Sequence, residues 1–163
     1  MLAIAVITVS DRAFKGEYQD MSGPTIVDLI TEKKKDADVT LTIVPDDRAL
    51  IKQAIQDNIG KDYIITTGGT GIGPRDFTVD VTKEICQKEL PGIAELLRRE
   101  SYKETKFAVF SRGYAGIRNK TIIINFPGSV KAVTLCSKLI LPLLDHGVEM
   151  IKGGKHPPTA GSV

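Results

Sequence analysis

The chain contains no tryptophan, two cysteines and two histidines in 163 residues, and aromatic side chains make up 6% of it. Each scarcity removes a class of function. Cys86 and Cys136 lie far apart within partly apolar, helix-like patterns, so they form neither a disulfide framework nor a metal knuckle and suit a reducing cytoplasm. His146 and His156 have no Cys or His companions at ligand spacing, which removes a soft metal centre, and no Ser/His/Asp grouping stands beside them. A basic excess is missing as well, with Lys plus Arg at 22 against 20 Asp plus Glu. With so little net field, and no interleaving of aromatic and basic residues, nucleic acid and anionic membrane are poor partners. No apolar run approaches the ~20 residues that span a bilayer. The N-terminal "MLAIAVITVSDR" has neither a basic n-region nor a small-residue cleavage pattern, and reads as a buried strand. "EKKK" (32–35) and "RRE" (98–100) read as solvated helix ends.

What is present is an alternation of short β-rich runs with longer helical patterns, expected to form one domain over residues 1–153 with a flexible Gly- and Pro-rich tail over 154–163. Strands are expected at 2–9, 39–44, 62–67, 106–111 ("KFAVFS") and 120–126, with a further strand within "RGYAGIRN" paired through a turn at Asn119-Lys120. Helices are expected at 22–34, at 45–59 with an Asp cap and an apolar stripe of Leu50, Ile51, Ala54 and Ile55, at 78–89 with Thr78 as cap, at 92–101, and at 129–153 with a kink at Pro142. This order predicts an α/β fold whose largely parallel sheet is covered by helices on both faces. Ligands in such folds sit at the carboxyl ends of the strands. The unusual residues fall there: Ser10-Asp11, Pro45-Asp46-Asp47, the run from Gly68, Ser111-Arg112-Gly113, and "NFPGS" (125–129).

The run "TTGGTGIGPRDFTVDVT" (66–82) places four glycines within residues 68–73, followed at once by Arg75 and Asp76. It is neither a P-loop, since Pro74 and Arg75 follow Gly73, nor a dinucleotide fingerprint, whose spacing it lacks. Exposed N–H groups of such a loop make an anion cradle, and Arg75 adds a fork for phosphate oxygens, although a tight turn needing positive φ would also call for glycine. Asp46, Asp76 and Asp80 could each be a helix cap, yet acids beside bound phosphate imply a divalent cation between them, so Mg²⁺ is expected.

In chain order, "SDR" after the first strand, "YQDMSGP" (18–24), "VPDD" (44–47), "TTGGTGIGPRDFT" (66–78), "ELPGIAELLR" (89–98) and "FSRGYAGIRNKTIIINFPGS" (110–129) resemble the molybdopterin-binding family of the MogA/MoaB type, and its adenylyltransferase branch most. The resemblance runs from Ile4 to about Gly153. It implies a three-layer α/β/α domain with a mixed, mostly parallel sheet, commonly a homotrimer. It also implies Mg²⁺-dependent transfer of AMP from ATP to the terminal phosphate of molybdopterin, before a downstream enzyme inserts molybdenum.

Position by position, the resemblance makes Asp46 and Asp76 the catalytic and metal-holding acids. Gly68, Gly69, Thr70 and Gly71 become the cradle, with Arg75, Ser111, Arg112, Gly128 and Ser129 as further binding residues; Ser10 and Asp11 are counted with them. A pterin-binding or scaffold relative without adenylylation is the alternative it leaves open. One departure is the "TVDVT" segment, where Val79 and Val81 stand in place of the family's usual Pro and Ala.

Overall fold

Along β1 (Ala3–Val9) the apolar side chains alternate between two separate cores. Ile4 and Val6 pack on one face of the sheet, and Ala5, Ile7 and Val9 on the other. A strand apolar on both faces must be covered on both, and this one is. The computed structural model describes residues 1–154; the tail expected to be flexible lies, beyond Gly154, outside the described residues.

The remaining elements follow in chain order as α1 (Asp11–Phe14), α2 (Ser22–Lys33), β2 (Asp38–Val44), α3 (Arg48–Asp57), β3 (Tyr63–Thr67) and α4 (Thr78–Ile85), then β4 (Lys88–Glu89), α5 (Pro91–Glu104), β5 (Ala115–Arg118), β6 (Thr121–Phe126), α6 (Val130–Ile140) and α7 (Leu144–Ile151). The six-stranded sheet has the order β2-β1-β3-β6-β5-β4. β2, β1, β3 and β6 are parallel, whereas β5 runs antiparallel to β6 and β4 antiparallel to β5. Helices α2, α5, α6 and α7 cover one face through Ile26, Ile30, Leu97, Val133, Ile140 and Leu144. Helices α3 and α4 cover the other through Ile51, Ile55, Val81 and Ile85. The expected three-layer α/β/α architecture with a mixed, mostly parallel sheet is what forms.

Local expectations hold where one residue dictates the geometry. Asn119 adopts φ 55° in the two-residue turn joining β5 to β6. Pro142 ends α6, and a 3-10 turn over Leu141–Leu143 links it to α7. Four expectations do not hold. "KFAVF" forms a 3-10 turn over Lys106–Phe110 instead of a strand, and its Phe107, Val109 and Phe110 are exposed. The helix expected at 78–89 stops at Ile85, because Lys88 and Glu89 pair with β5. Phe77, not Thr78, occupies the cap position of α4, and Thr78 is its first, buried residue. Leu50 faces solvent instead of joining the stripe of α3.

Candidate active site

Parallel pairing brings the ends of β1, β2, β3 and β6 to one rim. The loop Ser111–Gly113 reaches it for a different reason than a fourth parallel strand. Ala115 opposes Ile124, so β5 starts where β6 ends and the loop before it must come to the same rim.

Loops after β1 and β2 are locked by two acids. The Asp11 N–H donates to Asp46 Oδ2 and the Asp46 N–H to Asp11 Oδ1, both at 2.9 Å. Arg75 closes the arrangement from the glycine loop, its Nε donating to Asp11 Oδ2 at 2.9 Å and its Nη2 to the Asp46 carbonyl at 3.1 Å. The two carboxyls respond oppositely. The Asp46 N–H, assisted by Arg75, holds Asp11 below the usual carboxylate range. Asp46 is pushed up, chiefly by burial and further by the charges of Asp11 and Asp76. Asp46 is thus a half-buried acid whose ionisation is opposed by burial more than its N–H partner and Arg75 favour it.

The glycine loop answers to both readings made of it. Gly68 has φ 96°, and a Cβ there would lie 2.3 Å from the Val9 carbonyl oxygen. Gly69 has φ 67°, and its Cβ would lie 2.2 Å from Thr78 Oγ1. These two are demanded by the turn. Beyond them, Asp76 Oδ2 accepts from the Gly73 N–H at 2.8 Å, and a Cβ on Gly71 or Gly73 would crowd that oxygen. Among the described residues the N–H groups of Gly69, Thr70, Gly71 and Ile72 find no acceptor, which leaves the donors that an anion cradle would use unpaired.

Arg112 is not an open anion-binding side chain. Its Nε donates to the Gly71 carbonyl at 2.9 Å and its Nη2 to the Asp76 carbonyl at 2.9 Å. Its two terminal nitrogens hold Asp80 in a fork at 3.0 and 3.1 Å. That fork draws the Asp80 carboxyl below its usual range. Ser10 and Ser129 serve first as helix caps, accepting from the N–H groups of Ala13 and Ala132. Gly128 abuts Gly68, where a Cβ would come 3.4 Å from its Cα.

Beside the glycine loop opens a cleft of about 290 Å³, lined by Thr70, Ser111 and Ser129 together with Leu97, Phe107 and Phe110. Two of its residues escaped the sequence reading. Asn125 is buried, donates from Nδ2 to Thr66 Oγ1 and Thr82 Oγ1, and has an Oδ1 without a partner. A lone amide closing the apolar "IIIN" run was the available signal. Arg98 is the single charged residue of the lining and donates from Nη1 to the Ser111 and Gly113 carbonyls, both at 3.1 Å, so "RRE" is not merely a solvated helix end. His146 lies in a different groove beside Tyr63 and Met150. Among the described residues no three His, Cys, Asp or Glu side chains come together as a metal site.

The chain is similar to known proteins over most of its length. A molybdopterin adenylyltransferase of Helicobacter pylori strain J99 is 42% identical over 154 residues, covering 92% of this chain and 88% of its own. The solved molybdopterin biosynthesis enzyme MoaB of Thermus thermophilus superposes with a TM-score of 0.84 at 36% identity, covering 96% of this chain and 100% of its own. The tungsten cofactor synthesizing protein MoaB of Pyrococcus furiosus does so with a TM-score of 0.85 at 35% identity, covering 93% and 98%. The family model described as "Probable molybdopterin binding domain" matches residues 5–146, and the chain belongs to that molybdopterin-binding family.

Proposed function

We propose that this protein is a molybdopterin adenylyltransferase of molybdenum cofactor biosynthesis, a nucleotidyltransferase acting as a single domain over residues 1–153. The observation that carries the reading is one juxtaposition. A largely apolar cleft lies against a backbone N–H cradle, and two acids stand at the cradle's edge. The cleft suits a flat heterocycle, Ser111 and Ser129 suit its polar edge, and the cradle with Gly68 to Gly71 and Gly128 suits phosphate.

In the reaction a terminal phosphate oxygen of molybdopterin attacks the α-phosphorus of ATP. The bond from that phosphorus to the bridging oxygen breaks, and pyrophosphate leaves. A phosphate monoester has a second pKa of about 6, so the nucleophile is already anionic at neutral pH and needs no general base. The chain's task is therefore placement and charge. The loop N–H groups orient the phosphates, Ser10 and Asp11 hold the rim, and the exposed Arg75 adds positive charge from its seat on Asp11.

The residues fit a Mg²⁺ ion carried by the nucleotide better than a resident metal. Asp46 and Asp76 each keep one carboxylate oxygen without a partner among the described residues, and Mg²⁺ is commonly held by one or two carboxylates plus substrate phosphates. When bound it would neutralise charge gathering on the leaving pyrophosphate.

Homotrimeric assembly is supported by an apolar ridge in which Phe107 is 80% and Val109 61% exposed. A cytoplasmic setting suits the two free thiols, which burial pushes up to about 11 for Cys86 and about 12 for Cys136. Among the described residues no helix is long and apolar enough to cross a membrane. The product would pass to a molybdenum-insertion enzyme.

Thermal melts test the reading. A ligand at 100 times its Kd stabilises by about 2.7 kcal/mol, so Mg-ATP alone should raise the midpoint. A response to molybdopterin but none to Mg-ATP would mark a binding module instead.

A further inference from the structure

Four of the five N–H donors of the Arg112 guanidinium are taken by protein. The side chain bonds the Gly71 and Asp76 carbonyls and both oxygens of Asp80, while its own backbone N–H donates to the Thr70 carbonyl at 2.8 Å. Three successive reaches of the glycine loop, at Thr70, Gly71 and Asp76, thus hang on one residue of the loop before β5. The anchor is itself pinned, because Arg98 on α5 bonds the carbonyls of Ser111 and Gly113 on either side of it. Asp80, on the first turn of α4, ties the same guanidinium to the helix that Asp76 precedes. A phosphate arriving at Arg112 would have to displace a bidentate carboxylate and two carbonyls.

We propose that Arg112 is a positioning residue. It acts through the glycine loop and α4 to set the Asp76 carboxylate and the bare loop N–H groups against the nucleotide, and it does not touch substrate. This rests on the proposed adenylyl transfer. The physical need is plain. A loop with glycines at 68, 69, 71 and 73 has few side chains to hold it, yet a cradle for a developing charge works only if its donors are already aimed. The arginine supplies from outside the rigidity that the loop's own composition removes. Only a planar fork reaches all of these acceptors together, so lysine is a poor substitute.

The test compares wild type with Arg112→Ala, Arg112→Lys and Asp80→Asn. Each is assayed for pterin-dependent pyrophosphate release, molybdopterin affinity, Mg²⁺ activation and thermal midpoint. Misplacement of a reacting group by about 1 Å costs about 100-fold in rate, so Arg112→Ala should lose about that much kcat with molybdopterin affinity essentially unchanged. It should also need more Mg²⁺ for half-maximal rate. Arg112→Lys should fall between it and wild type, and Asp80→Asn, which keeps the carbonyl contacts, should lose least. Should Arg112→Ala not fold, the lysine and asparagine variants decide the order. Lost pterin affinity with intact kcat would make Arg112 a substrate contact and overturn the proposal. Rate losses that merely track the folded fraction would overturn it too. A wild type that releases no pyrophosphate would sink the adenylyl-transfer reading instead.

Discussion

Asp46 and Asp11 share a reciprocal pair of hydrogen bonds and yet titrate apart. A neighbouring N–H and Arg75 favour the charged form of both, but for Asp46 burial, with the charges of Asp11 and Asp76, outweighs them. For Asp46 the folded pKa is raised above its ordinary value of 3.8, so the fold favours the neutral acid. That contribution is present at low pH and lost as pH rises through the folded pKa. At neutral pH, where the group is ionised, it weakens the resting fold, and a cation bound there would relieve it. Asp46→Asn should therefore raise the thermal midpoint of the ligand-free protein at pH 7, by about 2–4 °C for each kcal/mol relieved. The same variant should lower turnover by about 1,000-fold while molybdopterin still binds. A lowered midpoint with pterin binding lost would make Asp46 a structural residue. In wild type, the acid limb of the rate that belongs to Asp46 should move to lower pH as Mg²⁺ is raised, since cation and proton compete. Both acids could be read from their position after strands, but their opposite responses depend on which one is buried, and burial is not written in a short motif.

Elements were legible where periodicity and punctuation agreed, as in β1, β6 and the break at Pro142. They were misread where a composition fits two structures. "KFAVF" has strand composition, but among the described residues no strand pairs with it, and Thr105 turns the chain by accepting from the Phe107 N–H. Its apolar residues serve as a cleft wall and an exposed ridge instead of a ladder. The end of α4 was misjudged because pairing of Lys88 and Glu89 with β5 is a long-range event that helical spacing does not report. In α4 itself, Val79 and Val81 are both buried, so the departure from the usual residues places two branched side chains in the interior. The ridge gives a prediction at this scale. If the proposed trimer assembles through this ridge, Val109→Asp, at a position 61% exposed, should leave circular dichroism unchanged while light scattering reads a monomer at micromolar concentration where wild type reads a trimer. Retained trimeric mass would move the assembly surface elsewhere.

Across the whole molecule, strand order explains why separated motifs form one site. From β1 the chain crosses outward to β2 on one side, then returns past β1 to β3 and builds β6, β5 and β4 on the other, so the crevice above β1 and β3 is a switch point. Asp11 flanks it from one strand and the glycine loop from the other. That these loops share one rim followed from the alternation of strand and helix patterns; the strand order did not. The clamp of Arg112 on Asp80 and the insertion of Arg98 did not follow, because each joins residues from separate elements across the rim.

The most direct test of the account is to incubate the protein with molybdopterin, Mg²⁺ and ATP labelled at the α-phosphate, following pyrophosphate release and the fate of the label. Adenylyl transfer predicts label on the pterin in step with pyrophosphate, and neither product when pterin is omitted. Tight pterin binding with the label left on ATP would contradict it and leave a carrier or scaffold.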